Sequence, residues 1–181
     1  MDDEKLKILI EKFPSVLKRA IEEEKIDLRN YEPECEIEGI PLFRGVYRKV
    51  GDSPLPLKDS DFLSQAEQYR YIQKYVQAES DCTECDMDDD IKTQVEILKT
   101  SKRFSKYREN SGCFSCSFFK DYGKLTTFIE KANEGKFVIK GLVNKSQGFF
   151  SEQHGTESHV HAFLYENHNL KASFEVVDGN T

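Results

Sequence analysis

The 181-residue sequence lacks any apolar run that approaches the roughly 20 residues needed to cross a bilayer. It also lacks internal repeats and low-complexity segments, and its length fits one globular domain over residues 1–181. The opening MDDEKLKILIEKF is acidic and amphipathic, whereas a secretory signal has a basic start and an unbroken apolar stretch. We therefore expect a cytoplasmic protein that does not contact membranes.

The chain has no basic footprint of the kind that nucleic-acid binding requires. Residues 1–90 hold 23 acidic and 13 basic side chains, while residues 91–181 hold 10 acidic and 13 basic ones. Nucleic acid is therefore not an expected partner. The acidic half is typical of a solvated helix and loop, or it docks onto a basic partner protein.

The periodicity of the apolar residues predicts helices early in the chain and strands late. Helices are predicted over 3–25 with a kink or restart at Pro14, over 62–77 with Ser60 or Asp61 as cap, over 91–107 and over 124–135. Strands are predicted over 40–50, 111–119, 136–144, 159–166 and 171–178. This order indicates an α+β fold, with an N-terminal helical extension (1–39) followed by a core with a mainly antiparallel sheet (40–178).

Four of the five cysteines form two C-x-x-C pairs, Cys82 with Cys85 and Cys113 with Cys116. Four thiolates suit a tetrahedral zinc site, although the 27 residues between the pairs exceed the usual ribbon spacing. Residues i and i+3 of a straight strand face opposite sides, so Cys113 and Cys116 can both bind zinc only if the strand breaks. The alternative is that these are ordinary reduced, buried cysteines.

All four histidines lie within residues 154–168. In a strand, His159 and His161 point to the same face, where such a pair can bind a metal, a phosphate or a hydroxyl group. Glu157 would join that face if the strand begins early. The alternative is that the two histidines line the solvated side of an edge strand.

Three short motifs occur in a recognisable order along residues 40–178. Leu42-Phe43-Arg44-Gly45 lies in the first predicted strand, Phe114-Ser115-Cys116-Ser117 lies in the second, and a strand with a glycine-containing loop precedes the third at His159-Val160-His161. This layout resembles that of ADP-ribosyltransferase-like domains. The Arg-Gly start and the Ser-His-Val-His ending also resemble bacterial proteins with no known activity.

The resemblance implies a protein that binds NAD or ADP-ribose and that transfers a glycosyl or ADP-ribosyl group. Arg44 and Gly45 would hold the pyrophosphate, and Ser115 or Ser117 a ribose hydroxyl. The family carries Glu-x-Glu or Gln-x-Glu where this chain has His159-Val160-His161. The resemblance therefore implies catalytic roles for these two histidines, with Glu157 or Glu166 as the acid.

A second hypothesis explains the acidic N-terminal half and the altered third motif together. The protein would then be a non-catalytic accessory or immunity protein of a bacterial defence or toxin system, which binds a basic partner. A structural zinc at the four paired cysteines is compatible with either function.

Overall fold

The computed structural model describes residues 1–33, 36–48, 51–68, 111–129, 136–153 and 158–177. The helix predicted over 91–107, most of the one predicted over 62–77, and the site residues Cys82, Cys85 and Glu157 lie outside these ranges. No helix within them is both long enough and apolar enough to cross a membrane.

Two short helices open the chain and pack on the sheet. Helix α1 spans Asp3–Glu11 and helix α2 spans Ser15–Glu22, with Pro14 as the N-cap of α2. The predicted interruption at Pro14 is confirmed, because proline tolerates the first turn of a helix but not its interior. The apolar sides of these helices form a cluster with the sheet that includes Phe13, Leu17, Ala20, Phe149 and Phe163.

The described residues also form a six-stranded sheet, helix α3 (Tyr122–Ile129) and several short 3₁₀ helices. The strands are β1 (Leu42–Tyr47), β2 (Cys116–Phe119), β3 (Lys136–Gly141), β4 (Gly148–Glu152), β5 (His159–Leu164) and β6 (Phe174–Val176). Their order is β4-β5-β2-β1-β3-β6, and each pairing is antiparallel. The predicted α+β class with an antiparallel sheet is thereby confirmed.

Strand β4 was not predicted, because its residues do not alternate. Phe149 and Phe150 are adjacent and both buried, and they pack in different hydrophobic clusters on the two faces of the sheet. Period-two alternation appears only where one face of a strand is solvated, so a strand buried on both faces lacks that pattern.

Several predicted boundaries are wrong. The strand predicted over 171–178 spans only Phe174–Val176, after a 3₁₀ helix over Leu170–Ala172. The segment 111–119 begins as a 3₁₀ helix over Ser111–Phe114 and becomes a strand only at Cys116. The helix predicted from Phe62 begins instead at Gln65, after a 3₁₀ helix over Asp59–Phe62. Its cap is Ser64, because the Ser64 Oγ accepts from the Glu67 N–H and the Glu67 carboxylate accepts from the Ser64 N–H.

The strand register divides the sheet into two faces that carry different polar groups. Phe43 lies opposite Phe119, which lies opposite His159, and Ser117 lies opposite His161. We call the side that bears these residues the histidine face. Because side chains alternate along a strand, Arg44 points to the other side, which we call the arginine face.

On the arginine face, Arg48 holds the loop that follows β1. The Arg48 guanidinium donates to both Asp61 carboxylate oxygens, at 2.7 and 2.8 Å, and to the Pro54 carbonyl at 3.0 Å. The exposed fractions of the two side chains are 2% and 0%, so this ion pair is shielded from water. Phe62, next to Asp61, is thereby held in the main hydrophobic cluster.

We expect Asp61→Asn to lower the free energy of unfolding by about 3–5 kcal/mol, because it leaves a buried guanidinium without a counter-charge. The matched control is Asp59→Asn, which removes an exposed ion pair to Lys171 and should cost less than about 1 kcal/mol. Urea denaturation of the three proteins measures both values. Equal, small losses for the two variants would show that the buried pair does not hold the loop.

Candidate functional site

Two imidazoles lie side by side on the histidine face. The His159 and His161 ring centroids are 4.7 Å apart with an interplanar angle of 82°. The Phe119 ring lies 5.1 Å from His159, and the Tyr31 ring lies 5.6 Å from His161. All four side chains are half-buried, so the pair stands between two aromatic rings at the molecular surface.

Ser115 fixes the orientation of His161. Its Oγ lies 2.7 Å from His161 Nδ1 and donates to the Gly112 carbonyl at 3.0 Å. The Ser115 hydroxyl has one proton and donates it to the Gly112 carbonyl. We therefore assign the Nδ1 atom of His161 as the donor to Ser115. In that tautomer His161 Nε2 carries a lone pair, and no described residue is hydrogen-bonded to it.

The local fold brings Ser115 to this position. The 3₁₀ helix over Ser111–Phe114 returns the chain so that the Ser115 N–H and hydroxyl both contact the Gly112 carbonyl. Ser115 is buried and precedes β2 by one residue, on the same side of the chain as Ser117. A straight strand over 111–119 would not allow this contact.

The environment of His159 differs from that of His161 in its hydrogen bonding and in its pKa. Its Nδ1 atom is buried and has no hydrogen-bond partner within the part of the chain that the structure describes. Burial, together with the neighbouring His161, lowers the pKa of His159 to about 4, and burial also lowers the pKa of His161. Both rings are therefore neutral near pH 7 and act as lone-pair acceptors or ligands rather than as cations.

The structure does not bring Arg44 to the histidines. Its three guanidinium nitrogens donate to the carbonyls of Asp61, Leu63 and Ser117, at 2.7, 3.2 and 2.9 Å. The guanidinium lies 5.6 Å from the centre of the Phe118 ring, on the arginine face. The Arg44 guanidinium is therefore bound by backbone carbonyls of other segments of the chain. The sheet separates it from the histidine pair.

Of the other predicted site residues, Ser115 and Ser117 lie next to His161, whereas Gly45 and Glu166 do not contribute to the histidine pair. Gly45 lies on the histidine face, but a Cβ there would meet Ile129 Cδ1 at 2.9 Å, so helix α3 occupies the space above it. Ser117 is half-buried opposite His161. Glu166 is exposed in the turn beyond the end of β5.

Two of the four predicted zinc ligands lie within the described residues. Cys116 is in the main hydrophobic cluster, and burial raises the pKa of its thiol to about 12. Cys113 is also buried, with its Sγ 3.2 Å from Gln65 Oε1. Zinc binds thiolates, so the environment of Cys116 disfavours it as a ligand. The four-cysteine site stays a prediction, because Cys82 and Cys85 are outside the described ranges.

Two features of the structure were not predicted: the contact of Tyr31 with His161 and the Ser64–Glu67 helix cap. Tyr31 contributes a ring to the histidine face, but nothing in its local sequence links it to a strand 130 positions later. The Ser64–Glu67 cap, in contrast, was visible as Ser-x-x-Glu before a helical pattern. It was missed because Ser60 and Asp61 are also good capping residues.

Comparison with protein-family models, with curated proteins and with solved structures finds no match to this chain. Any functional inference therefore depends on the geometry of the two histidines and their neighbours.

The lowered pKa of His159 predicts a pH dependence of stability. Between the ordinary value near 6.5 and the folded value of about 4, the unfolded state binds more protons, so stability falls as the pH drops through this range. We expect His159→Gln to reduce the slope of the unfolding free energy against pH between 6.5 and 4. Urea denaturation at several pH values measures the slopes. The same slope in the variant and the wild type would contradict the assignment.

Proposed function

We propose that the protein binds a nucleoside-containing ligand of the NAD or ADP-ribose class on the histidine face. The observation that carries the proposal is the pair of neutral imidazoles between the rings of Tyr31 and Phe119, in which His161 Nε2 and both ring nitrogens of His159 have no hydrogen-bond partner among the described residues. The ligand class comes from the resemblance to ADP-ribosyltransferase-like domains, whose core we propose for residues 40–178.

The chemistry of this surface suits a ribose and a flat ring. A neutral imidazole nitrogen accepts a hydrogen bond, and a ribose hydroxyl donates one. Ser117 lies across from His161 and adds a hydroxyl that both donates and accepts. Tyr31 and Phe119 add half-buried apolar area beside the two imidazoles, and small-molecule sites commonly combine such rings with a few polar groups.

The proposal differs from the family pattern in the role of the arginine. Arg44 donates to three carbonyls from the opposite face, so it does not fit a contact with the pyrophosphate. Among the described residues, no carboxylate is hydrogen-bonded or ion-paired to either imidazole. The proposal is therefore one of binding, and group transfer by Glu157 or Glu166 stays a prediction from the resemblance.

Thermal denaturation with ADP-ribose and with NAD, in the presence of a chelator, tests the proposal. A ligand that binds only the folded state stabilises it by about 2.7 kcal/mol at a hundredfold excess over its Kd. For a chain of this size we expect the Tm to rise by roughly 5–10 °C. We expect His161→Gln and His159→Gln to lose most of that rise.

Two controls separate the histidine face from the rest of the molecule. His168→Gln changes a half-buried histidine that packs on Phe62, on the arginine face, and should keep the full rise in Tm. Arg44→Lys should melt earlier but should also respond fully to the ligand. No rise with either compound at millimolar concentration, or a rise that is lost only with Arg44→Lys, would overturn the proposal.

A second candidate is the accessory protein that binds a basic partner. The connector after α2 supports it, because Glu32, Glu36 and Glu38 are all exposed there. We expect a partner recovered at low salt to be lost at high salt, and to bind less well when these three residues are changed to glutamine. Pull-down from the native host measures this. Recovery that is independent of both salt and the three glutamates would argue against the candidate.

A further inference from the structure

We infer that His159 and His161 form a two-histidine chelate for a divalent transition metal ion of the Zn²⁺ or Ni²⁺ type. This site is distinct from the four-cysteine zinc site and does not depend on the nucleotide proposal. Imidazole is a preferred ligand of these ions.

The separation of the rings matches a shared metal. A zinc ion lies about 2.1 Å from each coordinating nitrogen, hence roughly 3 Å from each ring centre, and two such rings have centres about 5 Å apart. The observed separation of the centroids is 4.7 Å. The rings come from positions i and i+2 of one strand, so a rigid ladder to β2 and β4 holds them on one face.

His161 already has the support that metal-binding histidines usually have. In such sites the second ring nitrogen donates to an oxygen acceptor, which fixes the tautomer and leaves the other nitrogen for the metal. Here Ser115 Oγ lies 2.7 Å from His161 Nδ1, and Gly112 in turn holds Ser115. His161 Nε2 is therefore the coordinating atom that we assign.

A second observation that supports a metal site is the unsatisfied ring nitrogen of His159. A buried polar atom without a partner is uncommon in folded proteins and is often explained by an ion or a water molecule. His159 Nδ1 is such an atom, and no described residue is hydrogen-bonded to either of its ring nitrogens. A metal ion bound to one of these two ring nitrogens would give it a partner without any change in the sheet.

Two histidines leave two positions of a tetrahedral ion for water or for a ligand. Within the described residues, no group of three or more His, Cys, Asp or Glu side chains is placed to complete the set. A bound ion would also bring positive charge to a face from which Arg44 is absent. An anionic ligand could then take the open positions.

The test is titration of the metal-free full chain with Zn²⁺ by calorimetry, and with Co²⁺ by absorption spectroscopy. We expect one ion per chain whose cobalt spectrum lacks a sulfur-to-metal charge-transfer band. His159→Gln and His161→Gln should each weaken binding at least tenfold, and His168→Gln should bind as the wild type does. Ser115→Ala keeps both rings and should weaken binding roughly 10- to 100-fold.

A measurement on the wild type keeps the inference testable if a variant fails to fold. Addition of Zn²⁺ should shift the imidazole nitrogen resonances of His159 and His161 and leave those of His168 unchanged. Binding with a thiolate band that the histidine variants do not alter would assign the metal to the cysteines and overturn the inference. Absence of binding at millimolar metal would overturn it as well. Because no nucleotide is present, neither outcome bears on the nucleotide proposal.

Discussion

The buried ion pair between Arg48 and Asp61 holds the loop that follows β1 against the sheet. Both side chains are almost completely shielded from water, so neither charge could remain there without the other. Phe62 is the neighbour of Asp61 and fills the main hydrophobic cluster, which couples the ion pair to the packing of the core. The same loop also presents the Asp61 and Leu63 carbonyls to Arg44.

The two faces of the sheet therefore differ in how their polar groups are satisfied. On the arginine face, Arg44 and Arg48 donate to carbonyls and to a carboxylate, so these cations already have partners within the chain. On the histidine face, His159 Nδ1 is buried, and no described residue is hydrogen-bonded to it. Unsatisfied polar groups at a half-buried surface are the ones available to an outside ligand, which is why both proposals concern this face.

The sequence predicted much of the fold but less of the site. The break at Pro14 and the strands at Arg44, Ser117 and His161 followed from proline chemistry and from β-branched and aromatic patterns. The pairing of His159 with His161 on one face followed from the two-residue period of a strand. The resemblance implied one ligand site that includes Arg44 and the two histidines, but Arg44 lies on the opposite face of the sheet and donates to three carbonyls.

The chain alone thus determined which residues share a strand and which of them share a side of it, because local periodicity specifies both. It did not determine which residues of neighbouring strands share a face of the sheet. That depends on hydrogen-bond register, and Phe43 rather than Arg44 is in register with Phe119 and His159. Nor could local sequence predict that three backbone carbonyls, from segments distant in the chain, would take up the donors of Arg44. Tertiary packing decided that, since a partly buried guanidinium must be satisfied by the groups that fold around it.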